Sequence, residues 1–470
     1  MTVPAAVAAA DVATAAVGAG VLRSGGSAAD AAVASALAAC AAETIYTGLA
    51  GGGFAVHWDA QRRRAEVVDF FVTVPGRGLR REVGPMSAIH VSFGSAPLEY
   101  HVGASTVAVP GNPLGLHETH RRFGRLDWDA VVQPAFELAR GGVSLSAQKA
   151  VGLAVMAEAM CHGEDGRAAY APKGRLLGAG ERLWHRGLDR AFATLRDEGP
   201  GPFYTGAIAE AMLAVVEAGR GALTEQDLAD YRPVTSPARS VQVAGTTVHG
   251  RTDLLDLLGT IASLPADVGS MTPARRVHAW VRALARTRGP SDGTGTSNVC
   301  AVDADGNACV ITTSLGLGSG DWVPGYGLHL NSMIGEGELM VAGADVGSRV
   351  PSMMSPVVAT DTDGLNAAAG AAGGSRIRSA MVQVLSGVLF EQIDPVDAVE
   401  RARVHPVAST DAVVAHVEPG MPAPVLDALR ADGLAVHEWH ETSAYFGGVS
   451  VVARRGAAAD PRRDGAVARP

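Results

Sequence analysis

The sequence predicts an α+β protein in which two β-sheets pack face to face and helices cover them, a four-layer αββα sandwich. Three observations lead to this prediction. Helical patterns dominate the first half of the 470-residue chain. Strand patterns dominate from Ser297 onward, and the predicted strands are long and apolar, which suits strands packed between layers.

The first predicted helix is Ser27–Ala42. Ser27 follows two glycines and can cap the helix, and Asp30 lies in its first turn. Small residues fill every face of this segment, so we expect it to pack closely against its neighbours. Two strands, 54–58 and 65–70, are then predicted to form a hairpin across a polar turn.

The rest of the first half is predicted to be mainly helical. Residues 113–140 contain two helical pieces, with Pro113 and Pro134 near the helix starts. Residues 207–219 have the spacing of another amphipathic helix.

The second half begins with two predicted strands, 298–303 and 308–314, joined by a turn of aspartate, glycine and asparagine. Further elements are predicted as a hairpin at 357–360 and 365–369, a helix at 375–390, and strands at 413–417 and 448–452. The last residues, 456–470, have little apolar content and are predicted to be disordered.

Charge and composition exclude several classes of partner. The net charge is −9, and no basic stripe with interleaved aromatic residues is present, so we expect no nucleic-acid partner. The N-terminus lacks the pattern of a signal peptide, and no apolar run approaches the roughly 20 residues that span a bilayer. The prediction is therefore a cytoplasmic protein without a membrane partner.

No metal or cofactor is expected. His117, His120 and His162 lack the spacing of metal ligands beside suitable acidic residues. The glycine-rich segments match neither the Walker pattern nor the dinucleotide-binding pattern. The four cysteines have no C-x-x-C spacing and are expected to be reduced core residues.

The bond between Gly295 and Thr296 carries the main functional signal. It lies directly before a predicted strand and hairpin. If the bond is cut, the Thr296 hydroxyl lies beside a free α-amine that can take its proton near neutral pH. One residue would then supply both nucleophile and base. The plain alternative is that Gly-Thr simply starts an ordinary strand.

Several separated segments resemble the γ-glutamyltransferase family, which belongs to the N-terminal-nucleophile hydrolases. Their order and approximate spacing agree over most of residues 20–455. The matching segments are Gly25–Ala32, Gly51–Phe54, Val109–Gly111, Leu114–Leu116, Val132–Arg140, Leu223–Leu228, Asp305–Asn307, Gly318–Gly320, Ser355-Pro356 and Gly373–Arg376.

The resemblance implies an αββα fold made as a precursor that cuts itself before a threonine. The large segment would be 1–295 and the small segment 296–470, both parts of one αββα domain. Thr296 corresponds to the family's nucleophile, and Thr294 is the alternative. The expected chemistry is attack by Thr296 on a carbonyl, formation of an acyl-enzyme, and release to water or an amine acceptor.

The resemblance also implies supporting residues. Gly373 and Gly374 correspond to the oxyanion-binding turn at a helix N-terminus; the plain alternative is a capping turn. Ser314 corresponds to a second hydroxyl residue that hydrogen-bonds the nucleophile, with Thr312 and Thr313 as alternatives.

The substrate-binding positions are a mixture of matches and departures. Arg80 corresponds to the arginine that binds the substrate α-carboxylate, with Arg77 and Arg81 as competitors. The family's asparagine is replaced by Gly316. Its glutamine and aspartate for the α-amino group are replaced by Ser332 and the region of Glu336, and its paired serines are replaced by Ser352-Met353.

These departures leave three functional hypotheses. The first is a self-processing γ-glutamyltransferase-like enzyme that acts on a small γ-glutamyl or related amide. The second is a member recruited to natural-product biosynthesis, which hydrolyses a non-glutamyl amide or a carbon–carbon bond next to a carbonyl. The third is an unprocessed, non-catalytic homologue. The partners expected are the small-molecule substrate, the two segments of one precursor, and possibly a second copy of the chain.

Overall fold

The computed structural model describes residues 2–92, 97–285, 295–337, 339, 344–408 and 413–470. Helices and strands alternate along the described chain, with helices concentrated between residues 112 and 285. The α-helices are α1 (Val12–Arg23), α2 (Ala28–Ala42), α3 (Asn112–Phe123), α4 (Trp128–Gly141), α5 (Ala147–Val155), α6 (Ala157–Met160), α7 (Glu164–Tyr170), α8 (Leu188–Glu198), α9 (Pro202–Thr205), α10 (Ala207–Ala218), α11 (Glu225–Asp230), α12 (Leu257–Ala262), α13 (Pro273–Ala285), α14 (Arg376–Leu385), α15 (Pro395–Glu400) and α16 (Ala423–Ala431).

The strands of the described chain lie in two main sheets, whose strand pairs are antiparallel, and in four smaller sheets. They are β1 (Ala6–Ala9), β2 (Gly52–Asp59), β3 (Arg64–Phe70), β4 (Ser87–Ser92), β5 (Pro97–Val102), β6 (Val143–Ser144), β7 (Arg182–Leu183), β8 (Val234–Pro237), β9 (Arg239–Val243), β10 (Thr246–Gly250), β11 (Ser297–Val302), β12 (Ala308–Ser314), β13 (Trp322–Val323), β14 (Leu328–His329), β15 (Val357–Asp361), β16 (Gly364–Ala372), β17 (Val404–Ala408), β18 (Val413–Val417), β19 (Ala435–Glu438), β20 (Gly448–Ala453), β21 (Gly456–Ala459) and β22 (Ala466–Ala468).

Two large sheets form the centre of the described molecule. The first has the strand order β22-β1-β11-β12-β2-β3-β8, and the second has the order β21-β20-β16-β15-β10-β9. Cys300 and Val310 of the first sheet and Val358 and Ala368 of the second belong to one buried apolar cluster. The two sheets therefore pack face to face, as predicted.

Helices cover the outer faces of both sheets. Helix α2 packs on β11 and β12, and α14 packs on β16. Every residue of α2 is buried, because alanine on all its faces allows the helix to lie close to the first sheet and to α1, α3 and α4. The predicted four-layer αββα sandwich is confirmed.

Most predicted elements are confirmed at nearly the predicted bounds. Ser27 caps α2 in a capping box with Asp30, and the predicted hairpins are β2–β3, β11–β12 and β15–β16. The position predicted for Pro134 is wrong, since this residue lies inside α4. That helix begins after Asp127 and buries Val131, Val132, Ala135 and Ala139. This packing offsets the loss of the backbone hydrogen bond that a proline inside a helix cannot donate.

The prediction of a disordered tail at 456–470 is also wrong. β21 pairs with β20, and β22 pairs with β1 at the edge of the first sheet. Between them Arg462 and Arg463 are buried, and the Arg462 side chain bonds to Glu418 and Asp460. The tail has little apolar content, but Asp460 and Arg462 form ion pairs inside the protein.

No helix among the described residues is both long enough and apolar enough to cross a membrane.

Candidate active site

Residues Gly295 and Thr296 are buried directly before β11, at one end of the first sheet. They line a small cavity together with residues that come from distant parts of the chain. Seven of the residues predicted from the sequence line this cavity: Gly295, Thr296, Ser314, Glu336, Ser352, Met353 and Gly374. The fold thus brings together residues that are up to 79 positions apart, counted from Gly295 to Gly374.

Gly295 has a local reason to be glycine. A Cβ atom at this position would lie 2.1 Å from the carbonyl oxygen of Gly316. A larger residue would push the backbone away from this contact. The glycine therefore allows the bond before Thr296 to lie close to the segment that follows β12.

Ser314 lies at the end of β12 and contacts the bond before Thr296 directly. Its hydroxyl donates a hydrogen bond to the carbonyl oxygen of Gly295. The Oγ atom of Ser314 also accepts a hydrogen bond from the backbone N–H of Gly316 at 3.0 Å. The two alternatives bond elsewhere, since Thr312 donates to Asn298 at 2.7 Å and Thr313 accepts from Thr47 at 2.9 Å.

Three of the positions that depart from the resembled family, Gly316, Ser332 and Glu336, lie next to one another. Gly316 has a positive φ of 68°, and a Cβ atom there would lie 2.5 Å from Glu336 Oε1 and 2.7 Å from Ser332 Oγ. Ser332 Oγ accepts the backbone N–H of Leu317 at 3.0 Å. The absence of a side chain at Gly316 therefore leaves the space that the Glu336 carboxylate occupies.

Gly373 and Gly374 lie just before α14, at its N-terminal end. Gly374 lines the cavity that contains Thr296. Gly373 packs behind it, where an added Cβ would lie 2.7 Å from the Cα of Gly447. The predicted turn is thus at the cavity, with one glycine facing it and the other supporting it.

The predicted carboxylate-binding arginine is located elsewhere. Arg80 is exposed, and it is not among the described residues that line the cavity. Arg77 lies 3.9 Å from Asp230, and Arg81 donates to the carbonyl of Gly221 at 2.5 Å. Thr294, the alternative nucleophile, lies outside the described residues.

Sequence reasoning missed the apolar wall of the cavity. This wall consists of Phe71, Met333, Leu339, Met354 and Ile377, together with the predicted Met353. These side chains come from apolar stretches that resemble ordinary core segments, so their pattern contains no signal of a site.

Sequence reasoning also missed a buried polar cluster beside Thr296. Ser297 donates to Glu43 Oε2 at 2.9 Å, and Thr14 donates to Glu43 Oε1 at 2.8 Å. Burial raises the pKa of Glu43, while the nearby Lys149 acts in the opposite direction. The sequence signal for this cluster is Glu43 itself, a single glutamate directly after an alanine-rich helix. A carboxylate buried in such a segment requires polar partners. The cluster fixes the residue that directly follows Thr296.

Among the residues that the structure describes, no group of three or more histidine, cysteine, aspartate or glutamate side chains is placed to hold a metal ion.

Comparisons with known proteins identify relatives of this chain. The sequence profile described as Gamma-glutamyltranspeptidase matches residues 14–253 and 269–469. Glutathione hydrolase 3 of Arabidopsis thaliana is 28% identical over 469 residues, covering 85% of this chain and 72% of that protein. Acylase ACY 1 proenzyme of Pseudomonas sp. (strain V22) is 28% identical over 499 residues, covering 93% of this chain and 88% of that protein.

The fold is shared with a solved acylase. The crystal structure of cephalosporin acylase from Bacillus halodurans has a TM-score of 0.84 to this chain at 21% sequence identity, covering 100% of this chain and 96% of the other.

Proposed function

The chain belongs to the gamma-glutamyltranspeptidase family of enzymes, and we propose that it cuts itself before Thr296 and then hydrolyses or transfers an acyl group through that residue. The segments 1–295 and 296–470 would be the two products of maturation. The word proenzyme in the name of the Pseudomonas relative supports a precursor that matures.

The proposed maturation starts when the Thr296 hydroxyl attacks the carbonyl carbon of Gly295. The C–N bond between the two residues breaks as the acyl group passes to the threonine oxygen, and the hydroxyl proton passes to the Thr296 nitrogen, which becomes a free α-amine. Water then hydrolyses the ester, which leaves a carboxylate on Gly295 and restores the Thr296 hydroxyl. The hydrogen bond from Ser314 to the Gly295 carbonyl oxygen is the observation that carries the proposal. A donor at that oxygen stabilises the negative charge that develops during attack.

In turnover the freed amine acts as the base. An α-amine has a pKa of about 7.7–8.0, so at neutral pH it can accept the proton of the neighbouring hydroxyl. The hydroxyl then attacks the substrate carbonyl, expels the leaving group and forms an acyl-enzyme ester. Backbone N–H groups of the turn at Gly374, before α14, are suited to bind the oxyanion, because the N-terminus of a helix favours negative charge.

A small-molecule amide is the proposed substrate. One relative is named a glutathione hydrolase and another an acylase, and both names describe cleavage of an acyl compound. A non-glutamyl compound, including one cleaved at a carbon–carbon bond next to a carbonyl, is the second candidate. The exposed position of Arg80 and the space that Gly316 leaves for Glu336 favour this candidate.

Maturation can be tested with a denaturing gel and mass spectrometry of the purified chain. We expect two fragments from the unmodified protein, the smaller one beginning at Thr296, and one band at 48.0 kDa from Thr296→Ala. Thr294→Ala is the matched control, and it should be cut like the unmodified chain. A new terminus at Thr294, or a single band that is fully active, would contradict the mechanism. A single inactive band would instead support the non-catalytic homologue.

A further inference from the structure

A second cleft lies apart from the cavity at Thr296. It is formed by α7, by the segment that leads from β7 into α8, and by the β13–β14 hairpin. Its volume is about 810 Å³, within the roughly 300–1,000 Å³ of sites that bind small molecules. The two sites have no described lining residue in common. The cleft is therefore a separate candidate binding site.

The floor of the cleft is aromatic and buried. Among its lining residues, His185 is 3% exposed and Trp322 is 7% exposed. Their rings stack with centroids 5.3 Å apart, and Trp322 also stacks on His329 at 4.4 Å. His185 Nε2 lies 2.8 Å from the Thr44 hydroxyl oxygen. These contacts fix both rings, so an apolar group that enters the cleft meets a preformed aromatic surface.

A second tryptophan, Trp184, lines the same cleft and is 42% exposed. It is the one aromatic side chain among the exposed large apolar residues of the described chain. An indole ring in water gains by covering its face, and it pairs well with another aromatic ring. The cleft thus offers one exposed and one buried indole to a planar apolar group.

The rim of the cleft is charged and balanced. Its lining includes two arginines, Arg186 and Arg190, and two aspartates, Asp165 and Asp189. Asp189 is half-buried and the other three are exposed. None of the four forms an ion pair with another residue that the structure describes. Burial lowers the pKa of His185 to about 4, so this ring adds no charge at pH 7.

We infer that this cleft binds a zwitterionic amino compound with an aromatic side chain, of which an aromatic amino acid is the simplest form. The ring lies between Trp184 and the floor. The carboxylate faces the two arginines, which suit its planar geometry, and the ammonium faces the two aspartates. A ligand with a single charge is attracted by one pair and repelled by the other, whereas a zwitterion complements both. The inference adds a second site and does not depend on the proposed function.

Four small molecules test the inference by ligand-observed NMR titration of the purified full chain at pH 7. L-phenylalanine carries the ring and both charges. Phenethylamine keeps the ring and the ammonium, 3-phenylpropanoate keeps the ring and the carboxylate, and L-alanine keeps both charges without the ring. We expect phenylalanine to bind most tightly, with a Kd about tenfold or more below that of each of the other three.

Two pairs of substitutions assign the charges. Arg186→Gln with Arg190→Gln should weaken phenylalanine to the level of phenethylamine and leave phenethylamine no weaker. Asp165→Asn with Asp189→Asn should weaken phenylalanine to the level of 3-phenylpropanoate and leave 3-phenylpropanoate no weaker. A loss of folded structure weakens all ligands alike, so this reciprocal pattern reports the cleft itself.

Trp184→Ala should weaken phenylalanine about tenfold and leave alanine unchanged, because only the ring contact is removed. Arg275→Gln with Arg282→Gln is the matched control. These two arginines are also exposed on a helix, α13, and their replacement should change no affinity. A thermal melt of each variant shows that it is folded.

Equal affinity for phenylalanine and either singly charged compound would overturn the inference. So would undiminished phenylalanine binding in the folded cleft variants, or a loss in the α13 control, since either result places the ligand elsewhere. Mass spectrometry of the Thr296 terminus tests the proposed function separately. A chain that never frees Thr296 but binds the four compounds as expected would remove the proposed function and support this inference.

Discussion

The hydroxyl of Ser314 has its direction set by the backbone around it. Because its oxygen accepts the N–H of Gly316 at 3.0 Å, its proton is left to point at the carbonyl oxygen of Gly295. The same residue can thus polarise the carbonyl of the bond before Thr296 without any ionisable group. A neutral donor of this kind keeps its effect across the pH range in which the freed amine titrates.

Residues on one hairpin could be placed from the sequence, and residues on loops could not. Thr296 and Ser314 flank the β11–β12 hairpin, in which Ser297 pairs with Thr313, so one turn fixes their separation. Arg80 lies in an irregular segment after β3, where no repeating geometry relates position in sequence to position in space. Phe71 cannot be recognised as a site residue from the sequence, because an apolar residue after an apolar strand resembles a core residue.

His57 leads to a prediction about acid stability. Burial lowers the pKa of His57 to about 4, against the opposing effect of Asp59, Asp303 and Glu66. Between pH 6.5 and 4 the unfolded chain binds a proton here that the folded chain does not, so this stability is fully present above pH 6.5 and is lost as the pH falls toward 4. The ring stacks on Phe123 at 4.1 Å, which phenylalanine can reproduce.

We therefore expect His57→Phe to gain about 2 kcal/mol of unfolding free energy relative to the unmodified protein when the pH changes from 7.5 to 5. Urea unfolding at the two pH values measures this difference. His440→Phe, at an exposed position, should show no such gain. Equal pH dependence in both variants would disprove the assignment to burial.

At the scale of elements, the C-terminal segment illustrates a stabilisation that composition hides. The carboxylate of Asp460 accepts from Arg403, from Arg462 at 3.2 Å and from the backbone of Val449 at 3.1 Å. Burial alone would raise the pKa of Asp460, but Arg403 and Arg462 outweigh it and hold the pKa below its ordinary value. Low apolar content predicts disorder only when charges remain in water, and here they do not.

Replacing Asp460 should test this arrangement. Asp460→Asn leaves two buried guanidinium groups without their shared carboxylate, and we expect a loss of about 3–5 kcal/mol in unfolding free energy by denaturant titration. Asp305→Asn breaks an ion pair with Arg125 whose side chains are 62% and 53% exposed, and it should change stability little. Similar losses of unfolding free energy in the two variants would show that burial of the ion pairs does not determine their contribution to stability.

At the scale of the whole molecule, the strands on the two sides of the Gly295–Thr296 bond alternate within the sheets. In the first sheet β11 lies between β1 and β12, and β22 pairs with β1 on its other side. In the second sheet β10 pairs with β15. Cutting the bond therefore removes no strand pairing. The layer order followed from the sequence pattern, whereas this interleaving did not, because pairing between distant strands leaves no local signal.

The two fragments of the matured protein should consequently remain associated. We expect them to elute together in size-exclusion chromatography under native conditions, at the volume of the uncut Thr296→Ala protein, and to separate only in denaturant. Elution of the two fragments at separate volumes would contradict the interleaved sheets.

The pairing of β1 with β22 has one more consequence. Val7 lies opposite Ala468 in this pair, so the first and last strands are side by side. A short linker could join the two ends, and the chain could be reopened between Gly295 and Thr296 as a circular permutant. Removal of the initiating methionine would then present Thr296 as the first residue. Such a protein would separate the chemistry of turnover from that of self-cleavage.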